Sequence, residues 1–115
     1  MKYIITESKL KNLLKDRLGV DLDGKITMVT NQYDLPMEFD KFIPPKVLNM
    51  YLNRFGPMFV IDTPKKTFLY QNQAGSPTIT DTNDRLYSVT SLMSHLGIPP
   101  MGLTIDDLIN IYFQE

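Results

Sequence analysis

The chain contains no cysteine. That single absence removes disulfides, thiolate catalysis and cysteine-based zinc sites together. There is one histidine, His95, and one imidazole makes a usual zinc site only if carboxylates supply the other ligands. No apolar run approaches the ~18 residues that a membrane-spanning helix needs. The opening MKYIITESK holds a three-residue apolar run, where a secretory leader needs about 7–15 followed by a small-residue cleavage site. Neither a membrane span nor a leader is expected.

The motif inventory is equally thin. Gly75 lies in no G-x-x-x-x-G-K-[ST] or G-x-G-x-x-G loop, so no phosphate cradle is expected. Ser94 and His95 are neighbours on a short helical stretch, which points their side chains about 100° apart, and there is no G-x-S-x-G context. His95 therefore reads as a surface or capping residue at a helix C-terminus, where the dipole favours a cation. A calcium loop needs Gly at its sixth position and a carboxylate at its twelfth. Counted from Asp21 or from Asp81, the twelfth residue is Gln32 or Leu92, so both acidic stretches read as turns. No cofactor is expected.

What is present is ordinary globular sequence, 43% hydrophobic and 22% charged over 115 residues. The length fits one domain spanning 1–115, burying roughly two-thirds of the surface that its unfolded chain exposes. The net charge of −1 gives no strong nucleic-acid signal, and basic residues are not interleaved with aromatics. Charge is nevertheless polarised. Residues 1–20 carry five Lys and Arg against two acids, whereas residues 67–115 carry Arg85 against five acids. The two poles can meet within the fold or between copies.

Residues 44–71, PPKVLNMYLNRFGPMFVIDTPKKTFLYQ, organise the chain. Pro44-Pro45 favours a helix start. Leu48, Tyr51, Leu52 and Phe55 then share one helical face, and Gly56-Pro57 ends the helix. Strands 58–62 and 67–71 flank the turn at Pro64. Pairing Asp62 with Thr67 sets Phe59 opposite Tyr70 and Ile61 opposite Phe68 on one face, with Val60 and Leu69 on the other. Both faces are apolar, so the hairpin needs cover on two sides. The first helix, the last helix or another molecule must supply the second cover.

Around this centre, Tyr3–Ile5 reads as a short strand. A leucine helix follows through about Leu18, and residues 25–30 read as a single strand. Residues 31–44 read as an irregular connection pinned by Tyr33, Phe39 and Phe42. Thr78–Thr80 is a short strand with Leu86–Val89 as its return, and Thr90 caps a short helix stopped by Gly97. Thr104 caps the last helix, with Asp107 closing the box and Leu103 stapling to Leu108. The whole is an α+β fold: a small, mostly antiparallel sheet centred on the 58–62/67–71 hairpin, packed by three or four short helices.

These features point to surface rather than chemistry. Seven Met, a two-faced apolar hairpin and a nearly all-apolar last helix suggest adaptable contact area. The expectation is a non-enzymatic interaction module, binding a protein partner or itself through Met58, Val60, Leu69, Leu108, Tyr112 and Phe113. The alternative is a small enzyme or regulator with a carboxylate cleft, its acids drawn from Asp62, Asp81 and Asp84. The opening MKYIITESKLKNLL, an apolar run, a T-E-S cap and a leucine helix, resembles the start of small uncharacterised proteins of tailed bacteriophages. The resemblance covers 14 residues, carries over no site residue and implies a phage accessory or virion-associated subunit, located in the host cytoplasm or the virion.

Overall fold

A computed structural model describes residues 24–98 and 103–113 together with Asn12, Lys15, Asp16 and Leu22. The expected strand at Tyr3–Ile5 and most of the leucine helix lie outside the described residues. Asn12, Lys15 and Asp16 are helical and exposed.

Four strands, β1 (Ile26–Val29), β2 (Met58–Asp62), β3 (Thr67–Gln73) and β4 (Ser76–Asp81), form one antiparallel sheet in the order β1-β2-β3-β4. A 3-10 turn (Met37–Phe39) and helix α1 (Pro45–Phe55) lie between β1 and β2. Helices α2 (Val89–Leu96) and α3 (Ile105–Phe113) follow β4. This is the expected α+β architecture, with three α-helices among the described residues.

The central hairpin takes the register that its side chains demand. Phe59 opposes Tyr70, Val60 opposes Leu69, Ile61 opposes Phe68 and Asp62 opposes Thr67. Thr63 closes the turn: its hydroxyl accepts from the amides of Lys65 and Lys66 and donates to the Lys66 carbonyl. Both hairpin faces are covered within the chain. On the first face, Ile26, Phe59, Ile61, Phe68, Tyr70 and Ile79 pack with Leu92 and Leu96 of α2 and with Ile105, Leu108 and Ile109 of α3. On the second, Val29, Met58, Val60 and Leu69 pack with Leu35, Phe39, Ile43 and Leu48 from the β1–β2 connection and α1. The sheet is the middle of three layers, which is why its central strands do not alternate apolar with polar.

Helix ends follow their local chemistry. Pro45 occupies the first turn of α1, where a missing N–H leaves nothing unpaired. Gly56 ends that helix at φ 93°, ψ −166°, a region open essentially to glycine alone. In α3 the expected box is present: the Asp107 carboxylate accepts from the Thr104 amide at 2.9 Å, and the Thr104 hydroxyl accepts from the Asp107 amide at 3.2 Å. Helix α2 starts earlier than expected, because Ser88 rather than Thr90 caps it, accepting from the Ser91 amide at 3.1 Å.

The region after Gln71 departs most from expectation. β3 runs on to Gln73 and turns through Ala74-Gly75 into a full β4. Both turn residues have positive φ, 50° and 83°, as a two-residue hairpin loop of the twist-matched kind requires. The return segment is reduced to one bridge, Leu86 to Thr80, since Val89 already begins α2.

Candidate functional site

Four of the six candidate interface residues, Met58, Val60, Leu69 and Leu108, are buried in the two cores. A contact surface for another molecule cannot be built from side chains that the chain's own layers enclose. Tyr112 and Phe113 differ: both are half-buried against the first core. The hairpin is thus interior, and the last helix keeps an accessible side.

The three candidate acids do not form a common cleft. Asp62 is exposed and accepts from the Thr67 hydroxyl at 2.9 Å. Asp81 is 1% exposed, and strand alternation directs it to the opposite sheet face from Asp62. Asp84 sits exposed in the following turn at φ 58°. The Asp81 carboxylate is spent internally. It accepts from the amides of Asn83 at 2.9 Å and Arg85 at 3.1 Å, from the Tyr87 hydroxyl at 3.0 Å and from the Lys66 ammonium at 3.5 Å. Burial works to raise the Asp81 carboxyl, but the amides of Arg85 and Asn83, then Tyr87 and Lys66, outweigh it and hold it below the usual carboxylate range. Lys66 also donates to the Tyr87 hydroxyl. That bond, ahead of the others, raises the ammonium above its ordinary value. The arrangement is a turn lock.

His95 stands in the last turn of α2, as expected, and is half-buried rather than fully on the surface. Its ring packs 5.2 Å from Phe68 and 6.1 Å from Tyr87, and its buried Nδ1 has no hydrogen-bond partner. Among the described residues, no group of three His, Asp or Glu is placed to hold a metal ion.

Two concavities stand out among the described residues. One, of about 240 Å³, lies over the second sheet face beside α1, between Tyr51 and the exposed Leu86. Its central amide, Gln71, is already committed: Nε2 donates to the carbonyls of Tyr51 at 3.2 Å and Gly56 at 2.9 Å, while Oε1 accepts from Gln73. The other, of about 350 Å³, lies at the end of the sheet where α3 faces the α1–β2 corner. Phe55, Phe59 and Phe113 wall it, with Met28 at its edge. The Phe59 and Phe113 rings stand 5.3 Å apart at 45°. Met28 is 40% exposed, and Pro57, Asn72 and Asn110 form an exposed rim.

At the base of this aromatic cleft, the buried Tyr70 hydroxyl donates to Asp106, and Asn72 Nδ2 donates to the other carboxylate oxygen at 3.3 Å. Burial first, and then the Asp106 carboxylate, pushes the Tyr70 phenol above its ordinary value. An apolar, partly preformed hollow with a few convergent polar groups is the usual form of a binding site. The sequence placed Phe113 in a contact surface, but Phe55, Tyr70 and Asp106 read as core spacing and a helix-start acid. They come together only through the β2–β3 register, the α1–β2 turn and the packing of α3 on the first sheet face.

No family model, curated protein or solved structure matches this chain.

Proposed function

We propose that this protein is a non-enzymatic binding domain that docks a protein partner at the aromatic cleft between α3 and the α1–β2 corner. The observation that carries the reading is the cleft itself: three Phe rings and a part-exposed Met around a hollow of about 350 Å³. Aromatic and Met side chains are enriched in protein contact surfaces relative to the rest of the surface. The base of the cleft also argues for binding over turnover. A general acid or base works best with a pKa near the operating pH, whereas Tyr70 is driven away from neutrality. In biological terms, we place the domain among phage accessory or virion-associated subunits, on the resemblance of residues 1–14.

Site-specific photo-cross-linking tests the docking reading. A photoreactive residue at Asn110, on the cleft rim, should give an adduct of one defined mass in the native setting. The same group at Asn83, at the other end of the strands, should give none, and Phe113→Ala should abolish the Asn110 adduct. Equal labelling at both positions, or none at Asn110, would overturn the reading. Mass spectrometry of purified virions tests the placement separately, with absence from the particle removing the virion assignment.

A further inference from the structure

We infer that the cleft is built to receive a basic side chain, arginine or lysine, carried on an exposed segment of another protein. This rests on the docking reading above and adds the chemistry of the occupant.

Three observations carry it. The first is a carboxylate that no Lys or Arg among the described residues pairs with. Asp106 lines the cleft and is half-buried, yet both its hydrogen bonds come from neutral donors, Tyr70 and Asn72. A carboxylate has about four lone-pair sites, so two bonds leave acceptor capacity open. Among the described residues no Lys or Arg lies within ion-pairing distance of it; the one ion pair there joins Lys66 to Asp81 at the other end of the sheet. The positive end of α3 is worth about half a charge, and it faces both Asp106 and Asp107.

The second observation is the wall. Three Phe side chains line the same cleft as this carboxylate, and aromatic faces attract cations by their quadrupole. Phe55 already does so within the chain, with the Arg54 guanidinium carbon 5.5 Å from its ring centroid. A guanidinium or ammonium with an aliphatic stem matches both parts, its methylenes against the rings and its charge on Asp106.

The third observation selects the source. Small-molecule sites enclose most of their ligand, but this rim is exposed at Pro57, Asn72 and Asn110. Two of those residues are amides able to bond the backbone of a segment crossing the opening. A free cation would leave that rim unused.

Selection from a random heptapeptide display library on the immobilised full chain tests the inference. The wild type should enrich peptides with Arg or Lys beside an apolar residue, and D106N should lose that preference. For the best peptide, replacing its Arg by the neutral isostere citrulline should weaken binding at least about tenfold, since hydrogen bonds to charged groups are worth roughly twice neutral ones. In D106N the two peptides should bind alike. Enrichment without a basic preference, the same preference in D106N, or no enrichment would overturn the inference. So would binding of ethylguanidinium alone as tight as that of the best peptide, which would make the occupant a small cation. Neutral peptides that bind and compete with the Asn110 cross-link would leave the docking site standing and remove only its charge preference.

Discussion

Replacing Asp81 with alanine should be among the most damaging surface-distant changes in this protein. The carboxylate is 1% exposed and closes the turn after β4 through two backbone amides, while the Tyr87 hydroxyl donates to it from the side. Bonds to a charged acceptor are worth about 1.5 kcal/mol or more when fully buried; discounted to about 1–1.3 kcal/mol each for partial burial, the three together amount to about 3–4 kcal/mol. Lys66 adds little to this loss, because its side chain is 33% exposed and water can take over its solvation. With unfolding entropy near 2.1 cal/mol/K per residue, each kcal/mol corresponds to about 4 °C for this chain length, so Tm should fall by about 12–16 °C. Asp81→Asn keeps an oxygen for the two amides and loses the charge and the second acceptor, and should cost about 1–2 kcal/mol. Circular-dichroism melts of both variants measure this directly. The pH dependence is a second check. A carboxyl lowered in the folded state stabilises fully above its unfolded pKa, about 3.9, and that stability is lost as pH falls through the lower folded value. The gap between wild type and Asp81→Asn should therefore hold above about pH 5 and narrow below about pH 4. A Tm loss under about 4 °C for Asp81→Ala, or a gap independent of pH, would refute the turn-lock reasoning.

Gly56→Ala should destabilise by about 1–3 kcal/mol in urea titration, because φ 93° with ψ −166° excludes a Cβ on backbone grounds even though no atom stands in its way. Ala74→Asn should do the reverse, raising stability by about 0.5–1 kcal/mol, since it places Asn-Gly where both residues have positive φ. Leu69→Ala should cost about 2–5 kcal/mol of the isolated chain's stability, as its place in the second core requires. A contact residue on an open surface would cost far less.

The legible parts of the fold were those fixed by local chemistry. Pro44-Pro45 and Gly56-Pro57 bound a helix by what proline lacks and glycine permits, and the Thr104–Asp107 box reads directly from spacing. The hairpin register was legible because only one pairing puts Phe59 against Tyr70 and Val60 against Leu69. Of β4 only Thr78–Thr80 was legible; its full length was hidden by Pro77 and by Ala74, a residue that turn preferences do not nominate for positive φ. At the sheet edge a proline is tolerated, so its warning against a strand does not apply. The last helix covers the first hairpin face and α1 joins the cover of the second, as their apolar faces indicate, but the rest of that second cover was hidden. Its apolar residues, Leu35, Phe39 and Ile43, are scattered through a segment without period, and they meet only when the connection folds across the sheet. The cleft was illegible on the same principle, since Met28, Phe55, Tyr70 and Asp106 come from four separate elements.

The insertion of α1 between two strands that pair has a kinetic consequence. β2, β3 and β4 are joined by short turns, with Asp62 against Thr67 and Gln73 against Ser76. β1 pairs across a long gap, Ile26 against Ile61. Closing that larger loop costs entropy before any ladder bond rewards it. The three-strand meander should therefore form in the rate-limiting step, with β1 and α1 settling afterwards as one flap. Substitutions in the meander should then slow folding, whereas those in β1 should mainly speed unfolding. Because Met28 belongs to that late flap and Phe59 and Tyr70 to the early core, the cleft is completed only when the last piece of the chain arrives.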